Sequence, residues 1–188
     1  SIKITRILRD NGYPKLSVNR VSRLMKQLGI RSVTIRKFKN YRNKQNEHSE
    51  LKNLVNQNFS AQKPNQILLS DITYIHTVKN GWTYLASVLD VCTRKIVGYS
   101  YGRKMDRSLV ISALTKAWQN QNYPNNVILH SDRGSQYTSS EYIAAAERMG
   151  FRLSYSKKGC PFDNAPMESF HSVLKKEEVY LKHYSSFH

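Results

Sequence analysis

Apolar residues recur along this chain at two different periods, and the period changes near residue 65. Ahead of that point it is helical. Ile2–Asp10 predicts a short helix with Ile4, Ile7 and Leu8 turned inward, and Asn11-Gly12-Tyr13-Pro14 breaks it. Ser17 is placed to cap a second helix reaching Leu28, because a serine oxygen accepts free amide hydrogens of a first turn. Val18, Val21, Leu24, Met25 and Leu28 form one apolar stripe on it, and Gly29 suits its end. Arg20, Arg23 and Lys26 lie off that stripe and face out. Residues 31–64 are basic and polar and read as a linker, with a helix expected over 47–59 and Pro64 closing the stretch.

Behind Pro64 the pattern turns apolar and β-branched. Strands are predicted over 66–76, 81–91 and 94–101, with links short enough for an antiparallel meander. A helix over 107–119 would bury Leu109, Val110, Ala113, Leu114 and Ala117. Val127-Ile128-Leu129 is a short buried strand, 140–149 a helix closed by Gly150, and 151–156 a last strand. A loop over 157–166 leads into a final helix over 167–180. This order predicts an α/β domain: a mixed five-stranded sheet flanked by helices, with the first strand central and the fourth beside it.

Charge adds a partner to this picture. Lysine and arginine number 30 against 13 acids. Residues 1–64 hold 15 basic and 3 acidic residues, and residues 65–188 hold 15 and 10. So lopsided a front half argues for a polyanion, bound through salt-sensitive phosphate contacts. Two short helices with a basic outer face resemble half of a helix-turn-helix module. No run of eighteen apolar residues exists, so neither a membrane span nor a membrane partner is expected. Cys92 and Cys160 are far apart and expected to be reduced, and the six histidines lack zinc-finger spacing. The start, Ser1-Ile2-Lys3-Ile4, is no signal peptide and lacks an initiator Met, so an earlier beginning is expected.

Three acids then stand where a core would not place them. Asp71 lies inside the first strand, Asp132 ends the fourth, and Glu168 opens the last helix. An unpaired buried carboxylate is costly, but a carboxylate cluster around a hard cation turns that cost into binding energy. With the first and fourth strands adjacent, Asp71 and Asp132 become neighbours, and the closing helix can bring Glu168 to the same point. Such a trio can hold two metal ions about 3.5–4 Å apart, one at the attacking oxygen and one at the leaving oxygen of an in-line displacement.

The words around these acids are recognisable. Ser70-Asp71-Ile72-Thr73-Tyr74-Ile75, Leu89 through Gly98, His130-Ser131-Asp132-Arg133-Gly134-Ser135-Gln136-Tyr137 and Gly159 through Phe170 occur in that order, with thirty-five residues between Asp132 and Glu168. These blocks resemble bacterial insertion-sequence transposases with a retroviral-integrase-type D,D(35)E core. The predicted element order matches the ribonuclease H-like fold. The resemblance implies a division into a partial helix-turn-helix segment over 1–30, a basic linker over 31–64 and a catalytic core over 65–188. It implies Asp71, Asp132 and Glu168 as catalytic metal ligands, Mg²⁺ or Mn²⁺ with two ions per site, and no small-molecule cofactor. It also implies element-end and target DNA as partners, a homo-oligomer on the DNA, and a place in the bacterial cytoplasm at the nucleoid.

Lys175 shares a helix face with Glu168, His171 and Ser172, and the family often carries a DNA-contacting base there. Lys157 and Lys158 are candidates for the DNA backbone. His130 is read as a strand residue beside the site, Asp90 and Asp163 as turn or supporting groups, and Asn164 as a hydrogen-bonding member. The family normally continues past the last helix with another basic, aromatic segment, so a fragment or truncated copy is expected. Two alternatives stay open: a metal-dependent nuclease without strand transfer, and a catalytically inactive DNA-binding remnant.

Overall fold

The computed structural model describes residues 2–30, 51–122 and 124–187. It forms two compact units, Ser1–Asn40 and Tyr41–His188.

The first unit holds α1 (Ile2–Asp10) and α2 (Val18–Gln27). Ser17 caps α2 as expected: its hydroxyl accepts the Arg20 amide at 3.2 Å. Past the end of α2, Gly29 takes φ +69° while the Ile30 amide donates back to the Met25 carbonyl. The expected inward rows are buried only in part: Val21 is buried, and Leu8, Val18 and Met25 are half-buried. Ile4, Ile7, Leu24 and Leu28 are exposed, and Thr5, off the expected row of α1, is buried. Helices of nine and ten residues crossing once cover only a short length of each other.

The second unit is built on a five-stranded sheet in the order β3-β2-β1-β4-β5. Its strands are β1 (Ile67–Thr77), β2 (Gly81–Asp90), β3 (Ile96–Gly102), β4 (Val127–Ser131) and β5 (Phe151–Tyr155). The first three form the predicted antiparallel meander, and β4 and β5 join in parallel. The strand expected from residue 94 starts two residues later, because 91–93 turn and Arg94 follows at φ +60°.

One face of the sheet packs against α3 (Arg107–Asn120) and α4 (Ser140–Arg148), burying Leu68, Val88, Leu114, Leu129 and Tyr142 in the larger core. The close fit of α3 depends on Gly98. A Cβ there would lie 2.4–2.6 Å from atoms of Ala113 and Ala117, so only glycine lets helix and strand approach this far.

The smaller core, on the other face, brings Leu69, Leu89 and Val91 together with Met167 of α5 (Ala165–Glu177). The final helix starts two residues earlier than predicted and stops at Glu177, followed by a 3₁₀ turn at Val179–Leu181. Another 3₁₀ turn, Pro161–Asn164, shortens the expected loop.

The helix expected over 47–59 is absent from its described part, residues 51–59, and the start of that span lies outside the described residues. The Asn53 side-chain oxygen accepts the amides of Val55 and Asn56, and Asn56 and Gln57 sit at φ +47° and +61°, a path no helix can follow. This stretch packs on the core. The Tyr155 amide donates to the Lys52 carbonyl, the Leu54 amide donates to Ser154 Oγ, and Val55 is buried.

Candidate active site

The parallel register of β1 and β4 pairs Leu68 with Leu129 and Leu69 with His130. Continuing it by two residues sets Asp71 opposite Asp132, the first residue past the end of β4. Alternation along β1 sends Asp71 to the same face as Leu69, which packs against Met167. Met167 is fully buried, and the next residue, Glu168, turns outward in the first turn of α5. Sheet register thus sets Asp71 beside Asp132 within the sheet, and α5, anchored by Met167, holds Glu168 near enough to feel the Asp71 charge.

Their electrostatics follow from that proximity. Burial raises the Glu168 carboxyl above its ordinary range, and the charge on Asp71 raises it further. Asp132 is open to solvent on its outer side, yet its carboxyl has lost enough hydration for burial to be the main cause of its raised pKa. The Gly134 amide, donating to Asp132 Oδ1 at 2.9 Å, opposes that rise, and Asp71 adds to it. Asp71 Oδ1 accepts the Ile72 amide at 2.8 Å, and its Oδ2 lies 3.5 Å from His171 Nδ1. Among the described residues no three His, Cys, Asp or Glu side chains already close around a single ion position.

Beneath the acids is a layer that the sequence reading missed. Ser70 Oγ and the Tyr137 hydroxyl are 3.1 Å apart in the core, and the Tyr155 hydroxyl donates to the Tyr137 carbonyl. Burial first, then Tyr142 and Asp71, push Tyr137 up and keep it protonated. Tyr137 therefore pins the turn that begins at Asp132 onto the strand residue next to Asp71. A tyrosine five residues after the acid, in a turn sequence, was the available signal.

His130 is not free to ligate an ion. Its Nδ1 lies 2.8 Å from Ser154 Oγ and its Nε2 3.0 Å from Ser156 Oγ. Burial pushes the ring down to about 4, against a smaller upward pull from Asp163. Asp90 organises a turn by accepting the Asn65 and Thr93 amides. Asp163 is buried and accepts three hydrogen bonds, from Asn53, from Gln57 and from the Lys157 amide, so it ties the 51–59 stretch to the loop before Glu168. Asn164 Oδ1 and His171 Nε2 are buried with no hydrogen-bond partner among the described residues.

The basic candidates fall in separate places. Exposed Lys157 and Lys158 line a cleft of about 510 Å³ that also touches Asp132, Arg133 and Ser156. Arg133 is turned away from a ligand role: its Nε donates to the Ser156 carbonyl and its Nη2 to the Leu51 carbonyl. Lys175 sits with its Nζ 5.9 Å from the centre of the Tyr74 ring. In the first unit Arg20, Arg23 and Lys26 are all exposed on α2.

A mixed five-stranded sheet in this order, flanked by helices, is the ribonuclease H-like fold. The integrase core domain matches residues 61–161, and an HTH-like domain matches residues 1–38. The chain belongs to the integrase-core family of insertion-sequence transposases. It is 39% identical to the transposase of insertion sequence IS904 from Lactococcus lactis, over 99% of this chain and 73% of that one. It is 43% identical to an uncharacterized 31 kDa protein of insertion element IS600 from Shigella sonnei, over 88% of this chain and 60% of that one. Transposase InsF of IS3A from Escherichia coli is 39% identical over 98% of this chain. The chain spans 60% of the length of the IS600 protein and 63% of InsF.

Two solved structures share the fold. One is a simian T-cell lymphotropic virus intasome in complex with a PP2A regulatory subunit, with a TM-score of 0.57 at 21% identity, covering 72% of this chain and 46% of that one. The other is the HTLV-2 integrase catalytic core in complex with magnesium, with a TM-score of 0.51 at 19% identity, covering 62% and 71%. Among the described residues no helix is long and apolar enough to cross a membrane.

Proposed function

We propose that this chain carries the catalytic core of a transposase, which cleaves DNA at element ends and joins the freed 3′-hydroxyl to another phosphodiester. Asp71, Asp132 and Glu168 would hold Mg²⁺ or Mn²⁺, two ions per site. The observation that supports this most is the register of β1 on β4, which sets Asp71 opposite Asp132 while Glu168 feels the Asp71 charge. The donor set fits hard divalent ions: all ligands are carboxylate oxygens, and two of the three carboxyls are raised by burial and like charge. A bound cation would offset that cost, and exposed Asp132 and Glu168 have room to turn toward it.

When bound, the ions would polarise the scissile phosphate and make the attacking hydroxyl easier to deprotonate. The attacking oxygen is water in cleavage and the DNA 3′-hydroxyl in joining. It forms the new P–O bond as the old P–O3′ bond breaks, and no side chain becomes covalently attached. The protein's share is positioning and charge neutralisation. Lys157, Lys158 and Lys175 would neutralise phosphates near the acids, and Arg20, Arg23 and Lys26 would contact DNA from the 1–30 segment. Residues 31–64 link that segment to the 65–188 core, and a homo-oligomer would hold two element ends together.

The test is Asp132→Asn. Mg²⁺-dependent cleavage should vanish while DNA affinity stays nearly intact, and retained cleavage would remove Asp132 from the site. A strand-transfer assay on a pre-cut 3′-hydroxyl end separates this reading from a nuclease that cuts without joining. A non-catalytic DNA-binding remnant predicts no metal-dependent cleavage from the parent chain and DNA binding that survives Asp71→Ala.

A further inference from the structure

One groove of the second unit lies outside the acidic site. The Val78 amide donates to the Tyr184 carbonyl and the Lys79 amide to the Ser185 carbonyl, so the chain's last segment runs beside the end of β1. Between that segment and the β1–β2 hairpin is a space of about 640 Å³. Its hairpin side carries Tyr74, His76, Trp82 and Tyr84, and Tyr180 stands on the opposite wall. Trp82 is 60% exposed and Tyr180 68% exposed. Tyr74 meets Trp82 edge-on at 6.4 Å and Tyr84 at 5.6 Å, while His76 meets Trp82 at 5.1 Å, all with ring planes steeply inclined. Edge-on packing leaves ring faces open to a further flat partner.

The charge in the groove favours phosphate. Lys175 and His183 line it, and Lys182 does too, though its ammonium is paired with Glu178 at 2.6 Å. Lys175 also joins the groove to the acids. Along the contact of α5 with β1, His171 meets Asp71, and one helical turn on Lys175 meets Tyr74.

From this juxtaposition we infer that the groove binds unpaired DNA nucleotides, with bases stacked on Trp82, Tyr74 and Tyr180 and phosphates set against Lys175. Open aromatic faces beside a cation are what single-stranded nucleic acid needs, and every base can use them. A duplex cannot, because its base faces are already stacked. The inference rests on the strand-transfer reading: a cut in one strand near an element end releases the nucleotides beyond it, and those opposite on the uncut strand can then lose their partners beside the site.

The test measures fluorescence anisotropy of the full chain in EDTA, with a short labelled oligothymidylate and a blunt duplex of equal length. Trp82→Ala and Tyr180→Ala, both at exposed positions, should each weaken oligothymidylate binding about tenfold. Duplex affinity and the salt dependence of both should stay at parental values. Equal losses on the two ligands, or no loss on either, would overturn the inference. So would a Trp82→Ala variant that dissociates a dimer in sedimentation while binding oligothymidylate normally, since the groove would then be a contact between copies of this chain. EDTA removes the chemistry, so absent cleavage leaves this readout intact, and absent stacking leaves Asp132→Asn free to test the catalytic reading.

Discussion

Asp71 Oδ2 and His171 Nδ1 face each other at 3.5 Å across the junction of β1 and α5, and the other ring nitrogen, Nε2, is buried without a partner among the described residues. His171 is 7% exposed, so its ring is held by packing. A carboxylate aimed by a packed imidazole loses less freedom when it takes up an ion, and removing such a support typically weakens metal affinity 10–100-fold. His171→Ala should therefore raise the Mg²⁺ concentration needed for half-maximal cleavage by about tenfold, with DNA affinity unchanged. His171→Asn, which keeps a side-chain nitrogen near the same place, should recover part of the loss. An unchanged Mg²⁺ midpoint in His171→Ala would show that the ring only fills space.

Gly134 bears on the other strand acid. A Cβ at this position would lie 3.0 Å from Asp132 Oδ1 and 2.8 Å from Gln136 Oε1. The glutamine end can swing away, but the Asp132 carboxylate is also tied to the Gly134 amide and has to shift. Gly134→Ala should leave the thermal midpoint within a degree or two and lower the cleavage rate by about tenfold or more, since small misplacements of catalytic groups carry costs of that order. Unaltered cleavage would mean that the carboxylate position in the turn does not govern the chemistry.

Much of this site was legible because it obeys periodic rules. Alternation along β1 put Asp71 and Leu69 on one face, and the meander-then-crossover order made β1 central with β4 beside it. What escaped has no period. Asn53 and Gln57 bind Asp163 across 110 and 106 residues of sequence, through side-chain amides that could equally have faced water. The same contacts make residues 51–59, the described part of a stretch that reads as linker and helix, an irregular strap on the core. Along α1 and α2 the apolar rows were seen correctly as rows, but whether a row is buried depends on the surface that meets it, and Ile7 and Leu28 stay exposed.

The start of α3 offers a pH-dependent measure of stability away from the proposed metal site. Asp106 caps the helix, accepting the Ser108 hydroxyl at 2.7 Å and the Leu109 amide at 3.1 Å. The Ser108 bond, then the Leu109 amide, with Lys104 helping, lower its pKa below the usual 3.8. A carboxyl depressed on folding stabilises the protein above its unfolded pKa and loses that contribution as pH falls through the folded value. Asp106→Ala should cost about 1 kcal/mol at pH 7, a typical cap loss. In urea unfolding below pH 3.8, the gap between parent and variant should narrow as the carboxyl becomes protonated. A gap that stays constant down to pH 2 would show that the ionised carboxylate is not what holds the cap.

Lys157 and Lys158 stand on the cleft that touches Asp132, both exposed, and the Lys157 amide is held by Asp163. That backbone bond fixes where the loop lies while both ammonium groups remain free to reach phosphate. If each neutralises one DNA phosphate, removing both should reduce the slope of log affinity against log salt by about 1.8, because each phosphate contact contributes about 0.9 through counterion release. The Lys157→Ala, Lys158→Ala double variant should also bind duplexes of unrelated sequence with equal weakening, since backbone contacts carry no base information. The measurement is a salt titration of duplex affinity at fixed pH in EDTA, beside an Arg23→Ala, Lys26→Ala chain as a second basic pair on α2. If the loop pair leaves the slope unchanged and the α2 pair flattens it, DNA is held by the first unit alone, and the cleft beside Asp132 does not grip the backbone.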